Sequence, residues 1–299
     1  GTTTATKNIT VNARPTVTFT AQPGASACAN TDVTYTTQSG QSNYVWTVPG
    51  VLNTDYSITS GGIGTSSNTV TLRWLTTGSK TVSVNYTNAS GCSAASATSS
   101  TATTVNARPT VTFTAQAGAS VCTNTNVTYT TQSGQSNYIW GVPGVLNTDY
   151  TIISGGIGTG SNTVTLRWLT TGSKTVTINY NNASGCSALS ATSSTATNVT
   201  GPTANAGAAL TAICSGGTSA AMGGSIGGAA TGGTWSGGTG TWTNATNPST
   251  ATYTAGASES GTVTLTLTTS GGACGTTTAT KNITVNARPT VTFTAQPGA

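Results

Sequence analysis

Residues 1–25 read GTTTATKNITVNARPTVTFTAQPGA, and within them Thr16-Val17-Thr18-Phe19-Thr20 alternates threonine with an apolar residue. Successive side chains of an extended chain point to opposite faces. This stretch therefore presents one apolar face and one hydroxyl face, the pattern of a half-buried β-strand. The whole stretch returns unchanged at 275–299. Recurrence at a fixed offset marks a repetitive chain, and the 299 residues read as one super-repeat plus an overlap cut from a longer periodic polypeptide.

Working outward, the period of two persists. Val33 and Tyr35, then Tyr44, Trp46 and Val48, then Val70, Leu72 and Trp74, then Val82, Val84 and Tyr86 each share a face. Turn-forming clusters such as 38–42 (QSGQS) and 61–64 (GGIG) separate them. About seven short strands without a helical period predict an immunoglobulin-like β-sandwich. On the same parity Trp46, Trp74, Trp140 and Trp168 are core residues.

The repeats follow in the order A, A, C. Residues 1–10 are expected to be the last strand of a preceding C-type unit. The first A repeat spans 11–104 and the second 105–198, with mostly mild differences such as Val45 against Ile139 and Ser83 against Thr177. A divergent C repeat spans 199–284, and 285–299 open the next A repeat. VNARPT at 11, 105 and 285, and VTGPT at 199, mark the junctions. No flexible Gly/Ser linker separates the repeats, so the expected whole is all-β: tandem sandwiches forming an elongated rod.

Composition narrows the function. Only 4% of residues are charged, no histidine is present, and the acids are Asp32, Asp55, Asp149 and Glu259. Paired titratable groups for acid–base catalysis are missing, so the chain is not expected to be an enzyme. The net charge of +5 comes from scattered Lys and Arg, which excludes a nucleic-acid footprint. No apolar run is long enough to span a bilayer. The six cysteines fall two to a repeat, Cys28/Cys92, Cys122/Cys186 and Cys214/Cys274, at nearly equal spacings. Without CxxC spacing they are not metal ligands, and they predict one disulfide within each repeat and an oxidising, extracellular location.

The runs Tyr44-Val45-Trp46-Thr47-Val48-Pro49-Gly50, Asn68-Thr69-Val70-Thr71-Leu72-Arg73-Trp74 and Asn88-Ala89-Ser90-Gly91-Cys92-Ser93 resemble the PKD-like domains of Bacteroidota surface proteins. The second A repeat carries the same runs at 138–144, 162–168 and 182–187. The C repeat is similar to another module of those proteins through Cys214, Gly232-Gly233-Thr234-Trp235-Ser236, Tyr253-Thr254 and the run 261–268. Together the chain resembles the giant repetitive adhesins exported by type IX secretion, gliding-motility adhesins among them. The resemblance implies an outer-membrane-attached surface filament that needs no cofactor. Its implied partners are external surfaces or polysaccharides, further copies of the repeat, and the gliding and secretion machinery.

Two residue sets are candidate contact sites. Trp235 in the glycine-rich segment 223–240 and Trp242 just after it could stack on a glycan, making a glycan-binding module the alternative reading, with a passive spacer as a third. Asn53-Thr54-Asp55 recurs as Asn147-Thr148-Asp149. Asp55 and Asp149 are weak calcium candidates, since an Asx turn uses the same residues.

Overall fold

The computed structural model describes residues 1–64, 66–158 and 160–292. Ten strands make up the first repeat: β1 (Phe19–Ala21), β2 (Ser26–Cys28), β3 (Asp32–Thr37), β4 (Ser42–Thr47), β5 (Tyr56–Gly61), β6 (Thr69–Trp74), β7 (Gly78–Lys80), β8 (Ser83–Thr87), β9 (Thr98–Ser99) and β10 (Thr103–Asn106). They assemble as β1-β3-β6-β5, β4-β8-β9 and β2-β10-β7. The first two groups are the four-strand and three-strand sheets of an immunoglobulin-like sandwich. In the third, β2 runs parallel to β10, with Cys28 opposite Asn106.

The alternation decides what is inside. Tyr35, Val70, Leu72, Trp74, Val82 and Val84 are fully buried, whereas the threonines between them face outward or sit half-buried. Phe19 meets Tyr35 edge-on and tilts against Trp46, while Tyr44 packs on Tyr86. Such aromatic pairs add about 0.5–1.5 kcal/mol each beyond their buried area. All four tryptophans assigned to the A-repeat cores are buried there.

β10 runs past the expected boundary at 104, and Val105 lies in the first repeat's core. The leading Val-Asn of VNARPT thus closes one repeat before Ala-Arg-Pro-Thr enters the next. The second A repeat carries the same elements at equivalent positions, such as Asn126–Thr131 and Thr163–Trp168. By compactness the chain divides into two units. One holds Gly1–Val111, Gly134–Tyr138 and Asn179–Ala191; the other holds Thr112–Ser133, Ile139–Ile178 and Thr192–Ala299.

In the C repeat a long strand, Gly261–Ser270, pairs with Thr278–Asn286, and Gly232–Ser236 lies on its other side. Met222, Trp235, Tyr253, Leu265, Leu267, Ile283 and Val285 fill the core. The glycine-rich segment is strand and turn whose glycines make room for aromatic rings. A Cβ on Gly224 would stand 2.8 Å from the Trp235 ring, and one on Gly238 would collide with the Tyr253 hydroxyl.

One sequence appears in two states. At 278–286 it is a strand with Ile283 and Val285 each 1% exposed. At 4–12 it carries no strand, and Ile9 and Val11 are each 86% exposed. The first copy lacks the long partner strand that the second possesses, and a strand without a partner leaves its hydrogen bonds and apolar face in water. The assignment of 1–10 to the last strand of a preceding C-type unit stands as a proposal. Of the A-type opening expected at 285–299, Val285 and Asn286 belong to the C repeat's strand, and residues 293–299 lie outside the described residues.

Among the described residues no helix occurs, so none is long and apolar enough to cross a membrane.

Candidate functional site at the repeat junctions

The cysteines do not pair within repeats. Cys28 bonds to Cys186 and Cys122 to Cys274, with Cα–Cα distances of 5.7 and 5.1 Å, while Cys92 and Cys214 are free thiols. The expected Cys28/Cys92, Cys122/Cys186 and Cys214/Cys274 bridges are therefore corrected. Strand direction is the reason. β2 runs parallel to the exit strand β10, which brings Cys28 to the end where the chain leaves the repeat. Cys92 sits in the loop between β8 and β9, where its sulfur lies 3.7 Å from the Asn12 carbonyl at the entry end. The two cysteines of an A repeat thus stand at opposite ends of one sandwich. Cys28 and Cys122 each bond to a cysteine of the following repeat instead.

Local structure builds the junction around Cys28 and Cys186. After Cys28 the chain turns through Asn30 in the left-handed region (φ 59°), which asparagine tolerates, and the Asn30 amide donates to the Trp74 carbonyl. Asn182 shapes the loop that presents Cys186: its Oδ1 accepts from the amides of Ser184 and Cys186, and its Nδ2 donates to the Ala107 carbonyl. Arg108 ties both sides together. It donates to the Ala29 carbonyl (2.6 Å), the Ser187 carbonyl (2.7 Å) and the Thr31 hydroxyl (2.8 Å).

The second bridge uses different surroundings. Cys122 closes a short strand parallel to Asn198–Thr200, and the Thr200 hydroxyl lies 3.4 Å from the Cys274 sulfur. Gly201 stands where a Cβ would meet the Thr123 hydroxyl at 2.7 Å, so the backbone passes close by. On the chain-entropy account each loop, spanning 158 or 152 residues, stabilises the folded state by about 5 kcal/mol. Disulfides form and persist in oxidising compartments, so the chain is extracellular.

Arg73 makes a contrast with Arg108. Its Nε donates to Asp32 at 2.8 Å, but both side chains are 44% exposed, and in the second repeat Arg167 donates to Asn126 at 3.0 Å in the same place. An exposed ion pair contributes little, whereas charge-assisted bonds shielded at a junction contribute more. Arg108→Ala is expected to lower the denaturation midpoint by the equivalent of about 2 kcal/mol and Asp32→Asn by under about 0.5 kcal/mol. Equal effects of the two in urea titrations would contradict that ranking.

The other candidates resolve as follows. Trp235 is 2% exposed, its indole N–H bonded to the Pro248 carbonyl, and is therefore a core residue rather than a stacking platform. Trp242 is half-buried, stacks on Trp235 at 5.9 Å and tilts against Tyr253 at 5.1 Å. The structure thus brings both tryptophans together, Trp235 inside the C core and Trp242 packed against it. Asp55 accepts from the Val51 amide (2.8 Å) and the Thr76 hydroxyl (3.3 Å). Asp149 does the same with Val145 and Thr170, and these bonds, with Lys174 nearby, hold its carboxyl below the usual value. Both carboxylates close a turn, and among the described residues no three of His, Cys, Asp and Glu gather.

Sequence reading missed Glu259 and Lys281. Glu259 accepts from the Tyr253 hydroxyl (2.5 Å), the Thr239 amide (2.8 Å) and the Gly256 amide (3.0 Å). Burial works to raise its pKa, but these donors outweigh burial and hold it below the ordinary value. A carboxylate depressed on folding stabilises above its unfolded pKa near ~4.3 and loses that contribution as pH falls through its folded value. Glu259→Gln is thus expected to flatten the acid end of the C repeat's stability profile. Parallel wild-type and variant profiles from about pH 5 down to about pH 2 would refute the role. Lys281 is buried, donates to the Ala208 and Met222 carbonyls at 2.9 and 2.6 Å, and lies 5.5 Å over the Trp235 ring; desolvation lowers its pKa.

No protein-family model matches the chain, and no curated protein matches it. Among solved structures, the N-terminal eight Ig domains of Down Syndrome Cell Adhesion Molecule isoform 1.30.30 match over 91% of this chain and 37% of their own, at 12% identity and TM-score 0.32. The insect immune protein hemolin matches over 91% and 76%, at 10% identity and TM-score 0.34. The Escherichia coli adhesin FdeC matches over 90% and 96%, at 17% identity and TM-score 0.26. This chain spans little more than a third of the first of these. Its own strand order assigns it to the tandem immunoglobulin-like β-sandwich fold.

Proposed function

We propose that this chain is a section of a long, repetitive, secreted surface filament that acts as an adhesin and load-bearing stalk. The carrying observation is that both disulfides join neighbouring repeats. A bond within a repeat stabilises that repeat, whereas a bond between repeats transmits force across the junction. The return of residues 1–25 at 275–299 supports a longer run of the same repeats. Many copies give adhesion by avidity toward external surfaces or polysaccharides. The resemblance to Bacteroidota adhesins extends the reading to type IX secretion, outer-membrane attachment and gliding.

Antibody-coated beads against this repeat, applied to live source cells, test it. Beads that bind and travel along the cell support an adhesin coupled to gliding. Stationary beads retain the stalk and remove motility. Absence of surface label, with the repeat free in the medium, overturns the filament.

A further inference from the structure

Arg14, Arg108 and Arg288 occupy the same place in three copies of VNARPT. Arg108 at the complete junction donates backward to Ala29 and forward to Ser187. Among the described residues Arg14 makes the forward bond alone, to the Ser93 carbonyl (3.4 Å), beside Asn88, whose Nδ2 donates to the Ala13 carbonyl. Among the described residues Arg288 makes the backward bond alone, to the Ser215 carbonyl (2.7 Å), and the Ser215 amide donates to the Asn286 carbonyl as Ala29 does to Asn106. The Arg14 and Arg288 sets are the two halves of the Arg108 set. Each half holds one free cysteine: Cys92 at the forward half, and Cys214, opposite Asn286 as Cys28 is opposite Asn106, at the backward half.

From this complementarity we infer that Cys214 is the first half of a third cross-repeat disulfide, whose partner is the Cys92-type cysteine of an A repeat following the C repeat. Resting on the longer periodic chain proposed above, it adds a rule: the first cysteine of every repeat bonds to the second cysteine of the next. Two thiols lose two protons and two electrons, one S–S bond forms, and a disulfide oxidant such as an oxidoreductase disulfide is reduced to its dithiol. Every junction is then bridged, and each repeat is bonded to both neighbours.

The test is non-reducing chymotryptic mapping of the protein isolated from its cells after alkylation of free thiols, with the intact mass measured alongside. The fragment Thr87–Phe113, carrying Cys92, is distinct from Asn181–Leu189, carrying Cys186. The expected result is a cross-link between the Cys92 fragment and the fragment beginning at Thr211, with no alkylated cysteine. A longer chain whose Cys92 and Cys214 are alkylated overturns the third bridge and leaves the periodic chain standing. An intact mass of a single 299-residue chain overturns both. The 299-residue chain alone serves as control, where Cys92 and Cys214 react without reduction.

Discussion

Pulled by its two termini under oxidising conditions, the chain is expected to stop lengthening at about 400 Å, and after reduction at about 1,000 Å, taking ~3.4 Å per extended residue. The bridges at Cys28–Cys186 and Cys122–Cys274 overlap, so the shortest covalent route runs only through residues 1–28, 122–186 and 274–299. Everything else is bypassed, whether or not the sandwiches unfold. Bridges within repeats would cap each sandwich separately and leave the junctions to carry the full load. Force spectroscopy with and without reductant reads the difference directly. Equal contour lengths in the two conditions would remove the load-bearing assignment.

Trp74→Ala is expected to destabilise the first repeat by about 3–5 kcal/mol, most of what a domain of this size possesses. Trp74 is fully buried, its ring meets Tyr56 edge-on at 5.9 Å, and the Lys80 ammonium lies 5.4 Å above it. Removing the indole leaves a cavity between sheets whose other members, Tyr35 and Leu72, are also fully buried. Trypsin reads the outcome. Cleavage after Arg73 and Lys80 should accelerate sharply, while Lys281, buried in the C core, stays protected. Trp242→Ala, removing a half-buried ring, should cost less and loosen only the C repeat. A Trp74 variant as resistant as wild type would show that the core tolerates the void.

The strands were legible because the alternation of Tyr35, Leu72 and Trp74 with threonine can satisfy only one face of a sheet. The cysteine pairing was not legible from spacing, because separation along the chain says nothing about which end of a sandwich a residue occupies. Strand direction carried the missing signal: Cys28 ends a strand parallel to the exit strand, whereas Cys92 precedes the last turn back toward the exit. Trp235 was misread because glycine-rich sequence looks like open loop. There the glycines are small so that the ring can be inside. Arg108 and Glu259 were invisible as sites because their partners are mainly backbone groups, which no composition reveals.

The placement of Cys28 and Cys92 at opposite ends also sets an order of events in time. Cys92 follows Cys28 within the same repeat, whereas Cys186, the true partner, belongs to the next. For a chain appearing N-terminus first, the earliest available thiol is the wrong one. β10 lies beyond Cys92 in sequence, so only a completed sandwich holds the two apart. Each repeat must therefore finish folding before its first cysteine is oxidised, and an oxidant faster than folding would trap the chain in a mispaired register.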